Sequence, residues 1–199
     1  MFTDLDVFIP NLPGFGDEPS LTHEAGIPEY AKWVKDLVSQ HSLKNVIILG
    51  HSFGGRIASY LASENPVWLK GLILYGAPCI YRPTVKARIL KICARLARPL
   101  KFLHLNYNDE YALAQRMGLG NTYRNVVSYD QSKQLAQIHT PTTLVWGEMD
   151  TDVPLRIAHE MKTLMPKSNL IVLEKCGHNA HIDNPNLFYG TISRIISHV

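Results

Sequence analysis

Short apolar runs alternate along the chain with stretches of helical period. Residues 45–49 (NVIIL), 69–75 (LKGLILY), 142–146 (TTLVW) and 169–173 (NLIVL) are brief and rich in Val, Ile and Leu, the pattern of buried strands. NVIIL is apolar on both faces, which predicts a central parallel strand. Between these runs, residues 28–40 repeat apolar positions at Ala31, Val34, Leu37 and Val38, with Pro28 suited to a first helical turn. Residues 56–63 and 157–164 predict further helices, and 185–199 a closing helix with Leu187, Ile192, Ile195 and Ile196 inward. Residues 5–10 (LDVFIP) form another short apolar run, ended by proline, and 11–20 (NLPGFGDEPS) are turn-forming throughout. Strand–helix alternation of this kind predicts an α/β fold, a mostly parallel sheet flanked by helices. Residues 79–139 break the rhythm: they read as mostly helical with no strong strand. They are expected as a helical cap inserted into a core made of 1–78 and 140–199. Insertions of this kind follow the C-terminal end of a strand, where ligand sites of parallel sheets lie.

Composition narrows the class. The chain has 199 residues, 46% hydrophobic and 19% charged, which excludes a disordered or low-complexity protein and suffices for one core-bearing domain. Cys79, Cys93 and Cys176 have neither zinc-finger nor redox spacing and are expected as free thiols in a reducing compartment. No secretory leader pattern opens the chain and no apolar run approaches the ~20 residues of a membrane span, so a soluble, cytoplasmic protein is expected. Nine histidines invite a metal reading, but no H-E-x-x-H or similar spacing occurs, and neither metal nor cofactor is expected.

The chemistry concentrates at Gly50-His51-Ser52-Phe53-Gly54-Gly55, a G-x-S-x-G motif set between the NVIIL strand and a helix. A strand that reverses into a helix within a few residues holds its serine in a strained conformation. Gly50 and Gly54 are expected to leave room for backbone packed where a Cβ would stand. The serine then lies at a helix N-terminus, where backbone N–H groups favour developing negative charge. Serine needs a base, and the base an orienting carboxylate. Candidates follow two later strands: Asp150 or Asp152 in WGEMDTDVP, and His178 or His181 in CGHNAHIDNP. His51 is expected in a structural role, its side chain directed away from the base. Cys176 is left without a base of its own, so burial is its default.

With these motifs in this order the sequence resembles the α/β-hydrolase superfamily, in its branch of small serine esterases and lipases. WGEMDTDVP matches the family's W-G-x-x-D-x-x-V-P loop and implies Asp150 as the acid. GHNAHIDNP implies His178 as the base. NLPGFG matches the D-x-P-G-F-G turn, with Asn11 in place of the aspartate. The resemblance runs from about residue 5 to the end, with 79–139 as the variable cap. It implies Ser52 as nucleophile, and a serine there argues against the carboxylate nucleophile of dehalogenases and epoxide hydrolases. Phe53 is implied to supply one oxyanion N–H. The strands that the family places before the D-x-P-G-F-G turn, and the His-Gly loop that gives the second oxyanion N–H, have no counterpart in the nine residues before Pro10. Loss of one such donor costs about 10²–10³ in rate. Three arrangements follow: an open reading frame whose true start lies upstream, a minimal fold in which LDVFIP pairs directly with NVIIL, or completion by a partner chain or a second copy.

Charge sharpens the picture of the insertion. Residues 82–101 carry seven basic residues (Arg82, Lys86, Arg88, Lys91, Arg95, Arg98, Lys101) and no acid, with Val85, Ile89, Ile92 and Leu96 at helical spacing. The net charge of +3 therefore resides there, since elsewhere 13 basic residues face 17 acidic. A basic amphipathic helix fits a cap over an apolar substrate, and also weak contact with anionic membranes. The expected activity is hydrolysis of a small, largely apolar carboxylic ester through an acyl-enzyme, with no nucleic acid as partner and self-association in view. Rival expectations are other Ser-triad activities (C–C bond or thioester hydrolysis, perhydrolysis) and a non-catalytic binding or scaffold protein that retains the triad.

Overall fold

A computed structural model describes residues 5–21, 25–82, 115 and 120–199. The strands are β1 (Val46–His51), β2 (Leu69–Tyr75), β3 (Thr142–Gly147) and β4 (Ser168–Leu173). All pair in parallel, in the order β1-β2-β3-β4. The helices are α1 (Ile27–Gln40), α2 (Phe53–Ser63), α3 (Gly120–Ser128), α4 (Ser132–Leu135), α5 (Leu155–Leu164), α6 (Ala180–Asp183) and α7 (Pro185–Ile196).

Alternation along each strand assigns its residues to two cores. Leu72, Leu74, Leu144 and Trp146 face α2 and α5, packing on Ala58, Ala62, Ile157 and Met161. Ile73, Tyr75 and Val145 face the other way, onto Phe188 and Ile192 of α7. α1 packs outside α2, joining Ile27, Tyr30 and Ala31 to Ile57 and Leu61. Its start is as expected: Pro28 stands in the first turn and Glu29 accepts the Gly26 N–H at 2.7 Å.

β1 departs from expectation. Among the described residues it lies at the rim of the sheet, with β2 as its one partner, and Leu49 is 42% exposed. The Val46 and Ser52 N–H groups donate to Trp68 and Tyr75 carbonyls in and beside β2. Ile47, Leu49 and His51 therefore aim their backbone groups away from β2. The LDVFIP run does not meet them. Residues 5–10 form no strand, and Val7 and Ile9 are 67% and 88% exposed. This segment is tethered elsewhere, with the Phe8 ring 4.9 Å from that of His41 and the Tyr30 hydroxyl donating to Pro13 O at 3.1 Å. Direct pairing of LDVFIP with NVIIL is thereby corrected.

The 79–139 stretch is described at its two ends. Cys79, Ile80, Leu135 and Ile138 lie in the same buried cluster as Leu72 and Leu74. Arg56 of α2 joins these ends: its buried guanidinium donates to the carbonyls of Pro78, Val126 and Tyr129. Arg82 pairs with Asp130 and Glu160 at the surface. The basic amphipathic helix expected over 82–101, Arg82 apart, lies outside the described residues, as does Cys93. Cys79 and Cys176 are free and buried. No described helix is long and apolar enough to cross a membrane.

Candidate active site

β1 ends at His51 and α2 begins at Phe53, so Ser52 alone makes the turn. Its backbone has φ 49° and ψ −113°, a left-handed conformation that costs a non-glycine residue about 1–3 kcal/mol. Close packing enforces the turn. A Cβ on Gly50 would stand 2.6 Å from Gly55 Cα, and one on Gly55 would collide with the Ala77 side chain. Gly54, by contrast, has open space where its Cβ would be. The expectation that Gly50 and Gly54 supply the room is corrected to Gly50 and Gly55, because the helix turns Gly54, the fifth motif position, away from the strand. The Ser52 side chain makes no capping bond to its own helix. The Phe53 N–H belongs to the first turn of α2, whose donors lack intrahelical acceptors.

Asp150 and His178 meet beside this turn. The Asp150 side chain is fully buried, and its Oδ2 lies 2.8 Å from His178 Nδ1. Its Oδ1 accepts the Val153 N–H at 2.7 Å, so both carboxylate oxygens are engaged. A carboxylate accepts, so His178 Nδ1 is placed to donate to it, and in that tautomer of the neutral ring Nε2 keeps its lone pair. Asp152 is exposed two residues on, and His181 turns instead to the Tyr75 hydroxyl, 3.3 Å from its Nδ1. Burial pushes the Tyr75 phenol up to about 12, so it stays neutral.

Glycines hold the pair in place. Gly76 follows β2 with φ 52°, and a Cβ there would lie 3.1 Å from the His178 ring and 3.5 Å from Asp150 Oδ2. The strand ends are thus contiguous: the Ser52 N–H donates to Tyr75 O, and the next residue, Gly76, floors the imidazole. Gly147 at the end of β3 lets the backbone of Cys176 and Gly177 pass where its Cβ would be. The Met149 N–H donates to Cys176 O at 2.8 Å and the Gly177 N–H to Asp183 Oδ2 at 2.7 Å, which fixes the loop on either side of the histidine. Gly76 lies outside the motifs, and Gly147, though part of WGEMDTDVP, had no role read from it. Their signal was a glycine at or just after the end of a parallel strand.

His51 also differs from expectation. Its ring does not turn away from His178, the expected base: it lies 4.7 Å from the His178 ring and stacks at 4.3 Å on Tyr75. Its Nε2 is 3.1 Å from the His178 carbonyl oxygen. No group of His, Cys, Asp and Glu among the described residues could hold a metal ion.

A family model described as "Alpha/beta hydrolase family" matches residues 2–190. The chain belongs to the alpha/beta hydrolase family. Among relatives of this hydrolase, a 2-hydroxy-6-oxononadienedioate/2-hydroxy-6-oxononatrienedioate hydrolase of Cupriavidus pinatubonensis is 23% identical over 210 residues, covering 92% of this chain and 73% of that protein. An esterase from Exiguobacterium antarcticum superposes with a TM-score of 0.71 at 20% identity, over 94% of this chain and 79% of the other. A bromoperoxidase from Bacillus anthracis does so with a TM-score of 0.73 at 15% identity, over 92% and 79%. At these identities the two structures speak to the fold of the alpha/beta hydrolase, a parallel sheet flanked by helices.

Proposed function

We propose that this alpha/beta hydrolase cleaves a carboxylic ester of a small, largely apolar substrate through an acyl-enzyme on Ser52. The observation that carries the reading is the pairing of buried Asp150 with partly buried His178, 2.8 Å apart, in loops beside a left-handed serine at a helix N-terminus. His178 Nε2 accepts the Ser52 proton while Ser52 Oγ attacks the ester carbonyl, and the Phe53 N–H faces the oxyanion that forms. The tetrahedral intermediate collapses, and the alcohol departs with the proton from His178. Water, deprotonated by the same nitrogen, then attacks the acyl-enzyme and releases the acid with Ser52 restored. Asp150 keeps the imidazole in the Nδ1–H tautomer and balances its charge when it is protonated. Nucleophile, base and orienting acid all come from the chain. Apolar surface near the turn supports the substrate class. The half-exposed Phe15 ring lies 6.1 Å from that of Phe53, and Met149, beside Asp150, is 63% exposed.

Two measurements test this. The wild-type protein should hydrolyse short p-nitrophenyl esters, and Ser52→Ala should lower kcat by on the order of 10³-fold or more. A fluorophosphonate probe should label the Ser52 peptide in the wild type, as read by mass spectrometry. A folded protein that resists labelling, or equal ester turnover by both proteins, would overturn the reading.

A further inference from the structure

We infer that His51 is a positioning residue for the base, holding the main chain of His178 to the strand that bears the nucleophile. The inference rests on His178 acting as that base. His178 sits in a loop between β4 and α6, 127 positions from His51 in sequence. Other contacts hold the neighbours of His178 or its ring: Asp183 takes the Gly177 N–H, the Met149 N–H takes Cys176 O, and Asp150 takes the ring. The carbonyl of His178 itself meets His51 Nε2 at 3.1 Å. A carbonyl oxygen only accepts, so His51 Nε2 must carry the hydrogen.

The donor is well placed to set the distance between nucleophile and base. His51 is the last residue of β1 and is covalently joined to Ser52. The hydrogen bond therefore ties the base's backbone to the residue next to the nucleophile, while Asp150 and Gly76 define the tilt of the ring. Catalysis by such a pair depends on reacting atoms held near contact, and small displacements are costly. The His51 ring is itself fixed on three sides. It stacks on Tyr75 at 4.3 Å with 24° between planes, and the rings of His178 and His181 lie 4.7 Å and 5.7 Å away. These residues, with Asp150 behind His178, are the titratable groups around it. Burial first, and the neighbouring His178 second, hold its pKa down to about 4. At neutral pH it donates without adding a positive charge beside an imidazole that must become cationic during the reaction.

The test separates donation from packing. His51→Phe keeps a stacking ring and loses the donor. His51→Gln offers an amide N–H at the same reach. With p-nitrophenyl esters, His51→Phe should lose about tenfold in kcat with KM little changed, and its fluorophosphonate labelling should slow by a similar factor. His51→Gln should recover to within about threefold of wild type. Native kcat in His51→Phe, or equal losses in two folded variants, would overturn the inference. A readout independent of variant folding is the ¹⁵N spectrum of wild-type protein labelled in histidine. It should show His51 neutral with the proton on Nε2, and a proton on Nδ1 alone would overturn the inference. If the wild type neither turned over esters nor took the probe, the assignment of the base would fall, whereas the tautomer would still report on the contact.

Discussion

Gly76 lies directly against the Asp150–His178 pair, and a side chain there would press on the imidazole. Gly76→Ala would bring a Cβ within 3.1 Å of two ring atoms of His178 and would place alanine at φ 52°. The ring must give by a few tenths of an ångström, less than the roughly 1 Å misplacement that costs about 10²-fold in rate, so a smaller loss of about tenfold follows. We expect kcat for ester hydrolysis to fall by about that factor, whereas the unfolding midpoint in urea should report a loss of only about 1 kcal/mol from the backbone conformation. Comparing steady-state kinetics with urea titration of the same variant checks both parts. Ser52, Asp150 and His178 were legible because each sits in a short motif whose neighbours announce it. Gly76 was not, and the motifs that contain Gly147 and His51 did not disclose what these two touch, because what all three do depends on groups that the chain brings back from far along the sequence. Gly55 rather than Gly54 shows the same limit at short range: the motif marks both glycines, but only the helix's rotation decides which one faces the strand.

Hydrophobic period placed the elements well where it was strong. The strand expected over 69–75 forms over the same residues, and the helix expected over 28–40 begins one residue earlier, at Ile27. Periodicity reports how a strand meets the layers above and below it, and so NVIIL was correctly read as a strand. It carries no information about neighbours within the sheet, which meet through backbone groups common to every residue. The rim position of β1 was therefore beyond the pattern, as was the failure of LDVFIP to pair with it. The reversal expected between the NVIIL strand and the helix over 56–63 contracts to Ser52 for a related reason, since strand and helix hydrogen bonding both extend into the motif. Arg56 shows a polar residue doing the work expected of apolar ones. It is almost fully buried, and it joins α2 to both ends of the insertion through main-chain carbonyls.

At the scale of the whole molecule, the half-buried imidazole of His51 links folding to acidity. Its pKa of about 4 in the folded protein lies below the ordinary 6.5. The unfolded chain therefore takes up this proton first. The contribution to stability is fully present above about pH 6.5 and is lost as the pH falls toward about 4. Thermal unfolding across that window should show the wild-type melting temperature falling more steeply on acidification than that of His51→Gln, which has no proton to bind at this position. The two curves should run parallel above pH 6.5.

The rim position of β1 bears on how the molecule fails. Among the described residues this strand has one hydrogen-bonded neighbour and is only partly covered, while β2 and β3 are flanked on both sides. Regions so situated open at a lower free energy than the fold as a whole. Ser52 stands at the end of that strand, and the carbonyl of His178 meets it through His51. Warming would loosen this corner while the central strands still hold, so catalysis would fade over a range of temperature in which the molecule is, by most of its structure, still native.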